Sequence, residues 1–480
     1  MSQAPSESLS PSPSGAGADP RLDALHAWLN GRLATLLDEH QVPGAAVAVS
    51  VGDAVIDVAA GVLSKRTGVE ATPDSVFQIG SITKVWTTTL AMQLADEGKL
   101  ALDAPVRDYL PEFALADDAA AAAITVRQLM CHVSGFEGDL FTDTGVGDDC
   151  IEKFVATLGD APQLFPPGER FSYNNAGYCV LGRIVEVLRE KTYDACLRDH
   201  LFAPLGLTHA ATGPYEAILH RAAVGHIPTG PDAAFEAAPA WALPRSNSAA
   251  GSMLAMRPRD LLAFARMHLA DGVGPDGTRV LGAQSTRAMR ERQTDVPYLG
   301  LMGDRWGLGW EIFDWPGATV VGHDGGTLGQ SAYLRAVPGQ DVAVAVLTNG
   351  GESLAVYQEI VERVLGELAG VEVPPLPAPD PDAPRIDAAR YVGTYSSGVA
   401  DTVVSQDADG RIWAERTPKG IFAQLGGGPE RTELAPARED SLIAVERRHG
   451  MHQIHSFVGD DGDGHALYLH TGRADRRVAP

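Results

Sequence analysis

Gly80-Ser81-Ile82-Thr83-Lys84-Val85-Trp86 is the stretch that decides how this chain is read. It opens an apolar-periodic run, Ile82, Val85/Trp86, Leu90 and Leu94, so a helix is expected to begin here. A serine in the first helical turn and a lysine three residues on share one face. The helix N-terminus stabilises a developing alkoxide and disfavours an ammonium group. A desolvated Lys84 then has a lowered pKa and can take the proton of Ser81. Taken singly, the pair also fits a helix cap beside a surface lysine. Two further segments argue for chemistry.

The first is Ser172-Tyr173-Asn174-Asn175-Ala176-Gly177-Tyr178, after Pro166-Pro167-Gly168 and on a loop ahead of a helical run from Val180 to Leu188. A tyrosine between cationic groups relays a proton to a leaving group, and an adjacent amide such as Asn175 can hold both a lysine and a substrate carbonyl. The second is His323-Asp324-Gly325-Gly326, at the end of a strand and ahead of Gly329-Gln330-Ser331. Glycines such as Gly325 at a strand edge let a substrate backbone approach, and the edge supplies a donor N–H. His323 offers a polar or cationic partner near Tyr173. The order Ser-x-x-Lys, Tyr-x-Asn, His-x-Gly reads as one catalytic constellation.

Outward from these motifs, residues from about Leu22 to Gly370 read as one α+β unit. Leu22, Leu25, Leu29, Leu33 and Leu36/Leu37 fall at helical spacing. Ala45 to Val51 and Ala54 to Ala60 flank Gly52-Asp53 as a hairpin. A second β cluster, Ala318 to Gly322, Ser331 to Val337 and Val342 to Thr348, precedes a closing helix from Val356 to Leu368. Strands at both ends with a helical middle predict one antiparallel sheet built from distant segments. Pro374 to Pro384 carries six prolines in eleven residues, a stiff linker. Five short strand signals follow: Val403 to Val404, Arg411 to Ala414, Leu442 to Glu446, Ile454 to Val458 and Ala466 to Leu469. They predict a small β-barrel or sandwich whose Asp-rich segments, Asp407 to Gly410 and Asp460 to Gly464, are hairpin turns. The expected division is a disordered tail over 1–20, a catalytic domain over 21–372, a linker over 373–385 and a barrel over 386–480.

Composition narrows the function classes. The 480 residues are 45% apolar, ample for a core, and 38 Lys plus Arg against 62 Asp plus Glu give a net charge of −24. Such a surface repels polyphosphate, so neither nucleic acid nor an anionic membrane is an expected partner. The four cysteines, Cys131, Cys150, Cys179 and Cys196, lack C-x-x-C spacing and read as buried free thiols rather than as zinc ligands. Residues 1–20 have no basic residue and no apolar stretch of a secretory signal, so a soluble cytoplasmic protein is expected. No metal or organic cofactor is implied.

On these motifs, with Ile124-Thr125-Val126-Arg127-Gln128-Leu129, His132-Val133-Ser134-Gly135 and Trp306-Gly307-Leu308-Gly309-Trp310, the sequence resembles the serine β-lactamase and penicillin-binding-protein superfamily, in its class C and D-peptidase-like branch. The resemblance covers about residues 22 to 370. It implies Ser81 as acylated nucleophile, Lys84 as general base, Tyr173 as proton relay, and Asn175 as the residue orienting Lys84 and substrate. His323 stands where many members carry the lysine of a Lys-Thr-Gly triad. The oxyanion hole would be the backbone N–H groups of Ser81 and Gly326. The whole layout looks most like the penicillin-binding-protein-type thioesterases of nonribosomal peptide assembly lines, which add a C-terminal lipocalin-like domain. That implies a peptidyl thioester, presented by a carrier protein of a peptide synthetase, as substrate and a head-to-tail macrolactam as product. D-stereospecific hydrolases of the same fold (D-aminopeptidase, esterase or carboxypeptidase-like) are the alternative. The barrel is expected to roof the pocket, with Arg473 pointing into it.

Overall fold

The computed structural model describes residues 19–230, 234–420, 423, 428–448 and 450–479. Residues 1–18 of the expected tail lie outside these. Asp19 and Pro20, expected in that tail, instead open helix α1 (Pro20–Glu39). The Asp19 carboxylate accepts from the Arg21 N–H and proline takes the first position, where its missing donor costs nothing. All six leucines of the heptad-like row face inward.

β1 (Gly44–Val51) and β2 (Ala54–Gly61) form the expected hairpin at the edge of an eight-stranded antiparallel sheet. β1 pairs on its other side with Val342–Thr348, some three hundred residues later, in the register Ala45↔Thr348 to Val51↔Val342. The order continues through Ser331–Val337, Ala318–Gly326 and Glu311–Trp315 to two short strands, Arg305–Trp306 and Thr294–Asp295. Period-two alternation sends Ala46 and Ala48 of β1 to one face and Ala45, Val47 and Val49 to the other. α1 and the helix Ser353–Ala369 cover the second face. The first is covered by the helix Pro258–Leu269, and α2 (Thr83–Asp96) and the helix Asn175–Arg189 belong to the same core. α2 is buried from Thr83 to Leu94 and is therefore the central post of the domain. Its N-terminal end meets the last residues of the strand Ala318–Gly326, which runs further than the sequence indicates and includes the whole His-Asp-Gly-Gly segment.

Residues 370–392 form no helix or strand and run along the catalytic body, where Gln358 donates to the Pro374 carbonyl. Beyond them stands a closed barrel of eight sequential antiparallel strands: Gly393–Ser396, Ala400–Gln406, Ile412–Pro418, Glu430–Pro436, Ser441–Ala444, Ile454–Val458, Tyr468–His470 and Ala474–Ala479. Three of these carried no sequence signal. Glu430–Pro436 and Ala474–Ala479 are charge-rich, because half of the barrel interior is polar rather than apolar. That half encloses about 330 Å³ and is lined by Thr402, Arg416, Thr432, His455 and Asp475. The other half is packed by Tyr395, Val404, Ile412, Leu434, Leu442 and Phe457. The Asp407 and Asp460 carboxylates accept from backbone N–H groups of their own turns, which closes the hairpins. The four cysteines are buried and unpaired. Among the described residues no helix is long and apolar enough to cross a membrane.

Candidate active site

Ser81 lies in a tight turn, Gly80–Ile82, immediately ahead of α2 rather than within its first α-helical turn. That turn is pressed against the strand Ala318–Gly326. A Cβ on Gly325 would sit 1.9 Å from the Ile79 carbonyl oxygen and 3.0 Å from the Ser81 nitrogen. Gly80 has φ +52°, and a Cβ there would meet the Gly326 nitrogen at 2.6 Å. Only glycines allow this contact, and it puts the amides of Ser81 and Gly326 on one wall.

Lys84 is fully buried. Its Nζ is 3.0 Å from Ser81 Oγ, donates to the Ala250 carbonyl at 2.6 Å, and lies 4.8 Å from the centre of the Tyr173 ring. Burial, and after it the charge of Arg473, lowers its pKa to about 7. Near neutrality the amine can therefore accept a proton. Tyr173 hydrogen-bonds Ser81, and burial pushes its pKa up, so its hydroxyl stays protonated as a donor. Its ring stacks on His132 at 4.3 Å between centroids. His132 adopts φ +58°, and its Nδ1 accepts the Asn174 N–H. A single residue thus fixes both the ring and the backbone of the tyrosine loop.

One expectation needs correction, and two others gain detail. Asn175 is not in a loop: it is the first residue of the helix Asn175–Arg189, capped by Asn174, whose Oδ1 accepts from the Gly177 N–H. Its amide donates to Asp139 at 2.7 Å, and no hydrogen bond joins it to Lys84, whose place is held by Ala250. Of the two roles expected for His323, polar or cationic, burial leaves the neutral, polar one. The side chain is 1% exposed, and burial, followed by the charge of Lys84, drives its pKa down to about 3. Its Nδ1 is 2.6 Å from the Asp324 carbonyl, so Nδ1 carries the proton and Nε2 the lone pair.

Arg473 lines the cleft beside Ser81, and the barrel segment that bears it forms one wall. The guanidinium donates twice to Asp139, at 2.8 and 3.1 Å, and lies 4.7 Å from the centre of the Tyr173 ring. Around it, Tyr173 N–H donates to the Gly472 carbonyl, His470 Nε2–H to the Phe171 carbonyl, and Ala474 N–H to Ser172 Oγ. Directly after Arg473 the chain enters a strand that closes the barrel against Gly393–Ser396.

Sequence reasoning missed Asp139, Ala250 and Glu311. Asp139 sits in an irregular segment and Ala250 at the end of a short 3-10 helix, Arg245–Ala250, neither with a periodic apolar pattern. Glu311 had a signal, a carboxylate inside the otherwise apolar stretch Trp310 to Phe313. Ser81 opens onto two depressions, of about 500 Å³ and about 200 Å³, and Tyr173, Gly326 and Arg473 border both. A serine beside a lysine that becomes a free amine above about pH 7, a protonated tyrosine and paired backbone amides is equipped for acyl transfer through a serine ester.

The chain belongs to the beta-lactamase family, whose model matches residues 29–366, and so to the serine acyl-enzyme hydrolases and transferases of penicillin-binding-protein type. Among relatives, penicillin-binding protein 4 of Amycolatopsis lactamdurans is 47% identical over 373 residues, 77% of this chain and 97% of that protein. The solved structure of SurE superposes with TM-score 0.77 at 28% identity, over 95% of this chain and 100% of that one. SurE with D-Leu gives TM-score 0.75 at 29% identity over the same shares. Both superpositions therefore extend over the barrel.

Proposed function

We propose that this protein takes a peptidyl chain from a thioester onto Ser81 and releases it by head-to-tail amide formation, as an offloading cyclase. The thioester would be presented in the cytoplasm by a carrier protein of a nonribosomal peptide synthetase. One observation carries the reading: Ser81 lies between two depressions, and the barrel supplies Arg473 to the wall of both. A transferase needs room for an acyl chain and an acceptor, with water held off between them. The full-length likeness to SurE, including the structure with D-Leu, supports a chain ending in a D-residue.

In this mechanism Ser81 Oγ attacks the thioester carbonyl while Lys84 takes its proton. The oxyanion is held by the Ser81 and Gly326 N–H groups, and the thiol leaves with a proton relayed through Tyr173. The peptide's own amine then attacks the Ser81 ester, and its proton returns to Oγ by the same relay. The same groups activate water equally well, so a D-stereospecific hydrolase is the second reading.

Mass spectrometry on a peptidyl thioester with a free N-terminus and a C-terminal D-residue tests this. We expect an acyl adduct on Ser81, absent in Ser81→Ala, and a product lighter than the linear acid by one water. An adduct that resolves only to linear acid gives the hydrolase instead.

A further inference from the structure

We propose that Glu311 and His323 Nε2 form a binding subsite for a primary ammonium group, the end of the acyl acceptor; this rests on the acyl-transfer reading above. Both side chains border the larger depression that also holds Ser81 and Tyr173. They stand on neighbouring strands, with Glu311 opposite Gly322 in the ladder, and are 2% and 1% exposed. One Glu311 oxygen, Oε1, is 3.7 Å from His323 Nδ1.

Among the described residues, Glu311 Oε2 and His323 Nε2 are each buried without a hydrogen-bond partner. Buried polar atoms are rarely left so, and two at one cleft wall call for a ligand that donates to both. The histidine tautomer fixes the sense of the bond. Nδ1–H is committed to the Asp324 carbonyl, so Nε2 can only accept.

Charge points the same way. The groups facing Glu311 are His323 and Asp324 from one strand, Arg335 from the next and Lys84 from α2. Asp324 and Arg335 satisfy each other through two hydrogen bonds of 2.6 and 3.1 Å. His323 is neutral near pH 7 and Lys84, with a pKa of about 7, carries its charge only about half the time there, so an ionised Glu311 has no permanent counterion of its own. Burial and then the Asp324 charge accordingly hold its carboxyl well above the usual carboxylate range. An alkylammonium supplies both what the carboxylate lacks, a positive charge, and the N–H donors that the two orphan atoms need. Water supplies no charge and is selected less.

The bound ammonium gives one proton to the Glu311 carboxylate and attacks as a neutral amine. Its second proton passes through Tyr173 and Lys84 to Ser81 Oγ as the ester bond breaks and the amide bond forms. Glu311 then returns its proton to solvent.

The test uses the full chain and an N-acetylated peptidyl N-acetylcysteamine thioester, which cannot cyclise, with n-butylamine or n-butanol as acceptor. In the wild-type protein the ratio of butylamide to acid should rise and saturate with amine. In Glu311→Gln that ratio should fall by about tenfold or more, the scale of one charge-assisted hydrogen bond, with the loss confined to the amine. The ratio does not depend on how much enzyme is folded. An unchanged amide ratio in Glu311→Gln, or an equal loss of amide and butyl ester, overturns the subsite. A wild-type protein that releases thiol but yields only acid overturns it as well, leaving serine chemistry standing. Absence of thiol release overturns the acyl-transfer reading and the subsite with it.

Discussion

A lysine buried between a serine oxygen and a carbonyl, with Arg473 near enough to repel its charge, loses its proton far more readily than one in water. With a pKa of about 7, Lys84 is a base only above that value. Single-turnover release of thiol should therefore rise with pH from about 6, through a midpoint near 7, and level off by about 8.5. A profile flat across this range would rule Lys84 out as the base. The same shift acts on folding. Between about 7 and the unperturbed 10.5 the unfolded chain binds the extra proton, so this group makes stability rise with pH in that window. The Ser81–Lys84 pair was legible in the sequence because two residues at helical spacing must share a face. Ala250 was not legible, since its contribution is a backbone oxygen 166 positions from Lys84. Asn175 shows the limit from the other side: its amide was recognised as a site donor, but Asp139, in a segment with no periodic pattern, decided its partner.

At the level of elements, catalysis depends on how closely a strand end approaches the serine turn. Gly325→Ala would drive a methyl group into the Ile79 carbonyl, so the strand or the turn must move. Displacing one oxyanion donor typically costs ~10²–10³ in rate, and a fall of that size in thioester turnover is expected. Near-wild-type turnover would show that the strand end yields without disturbing the amides. The sheet itself could be read in advance, because β1, β2 and the strands Ser331–Val337 and Val342–Thr348 are apolar runs bounded by turn residues. The barrel was harder. A strand such as Ala474–Ala479, Ala-Asp-Arg-Arg-Val-Ala, turns charges both outward and toward a polar interior, so apolar alternation is weak along it.

Across the whole molecule the two domains share one catalytic loop. His470 donates from Nε2 to the Phe171 carbonyl and accepts at Nδ1 from the Gly472 N–H, and burial keeps it neutral with a pKa of about 4. His470→Ala leaves both backbone groups unpaired, at a cost of roughly 1–3 kcal/mol each when buried. We expect lower thermal stability together with slower acylation of Ser81, because Tyr173 is carried by the same loop. A variant that changed only the ratio of products, with acylation intact, would make the barrel a selectivity device and nothing more. A small barrel or sandwich was foreseeable from five spaced strand signals, but neither its eight-stranded closure nor its docking through backbone atoms of 470–474 had a sequence signature. The shared loop also sets a clock. Ser172 and its partner Ala474 are 302 positions apart, which a ribosome covers in about 15–60 s. Throughout that interval a nascent chain already carries its nucleophile and base yet lacks the barrel's share of the bonds that hold its tyrosine loop, so a half-made enzyme would stay silent instead of squandering activated peptide.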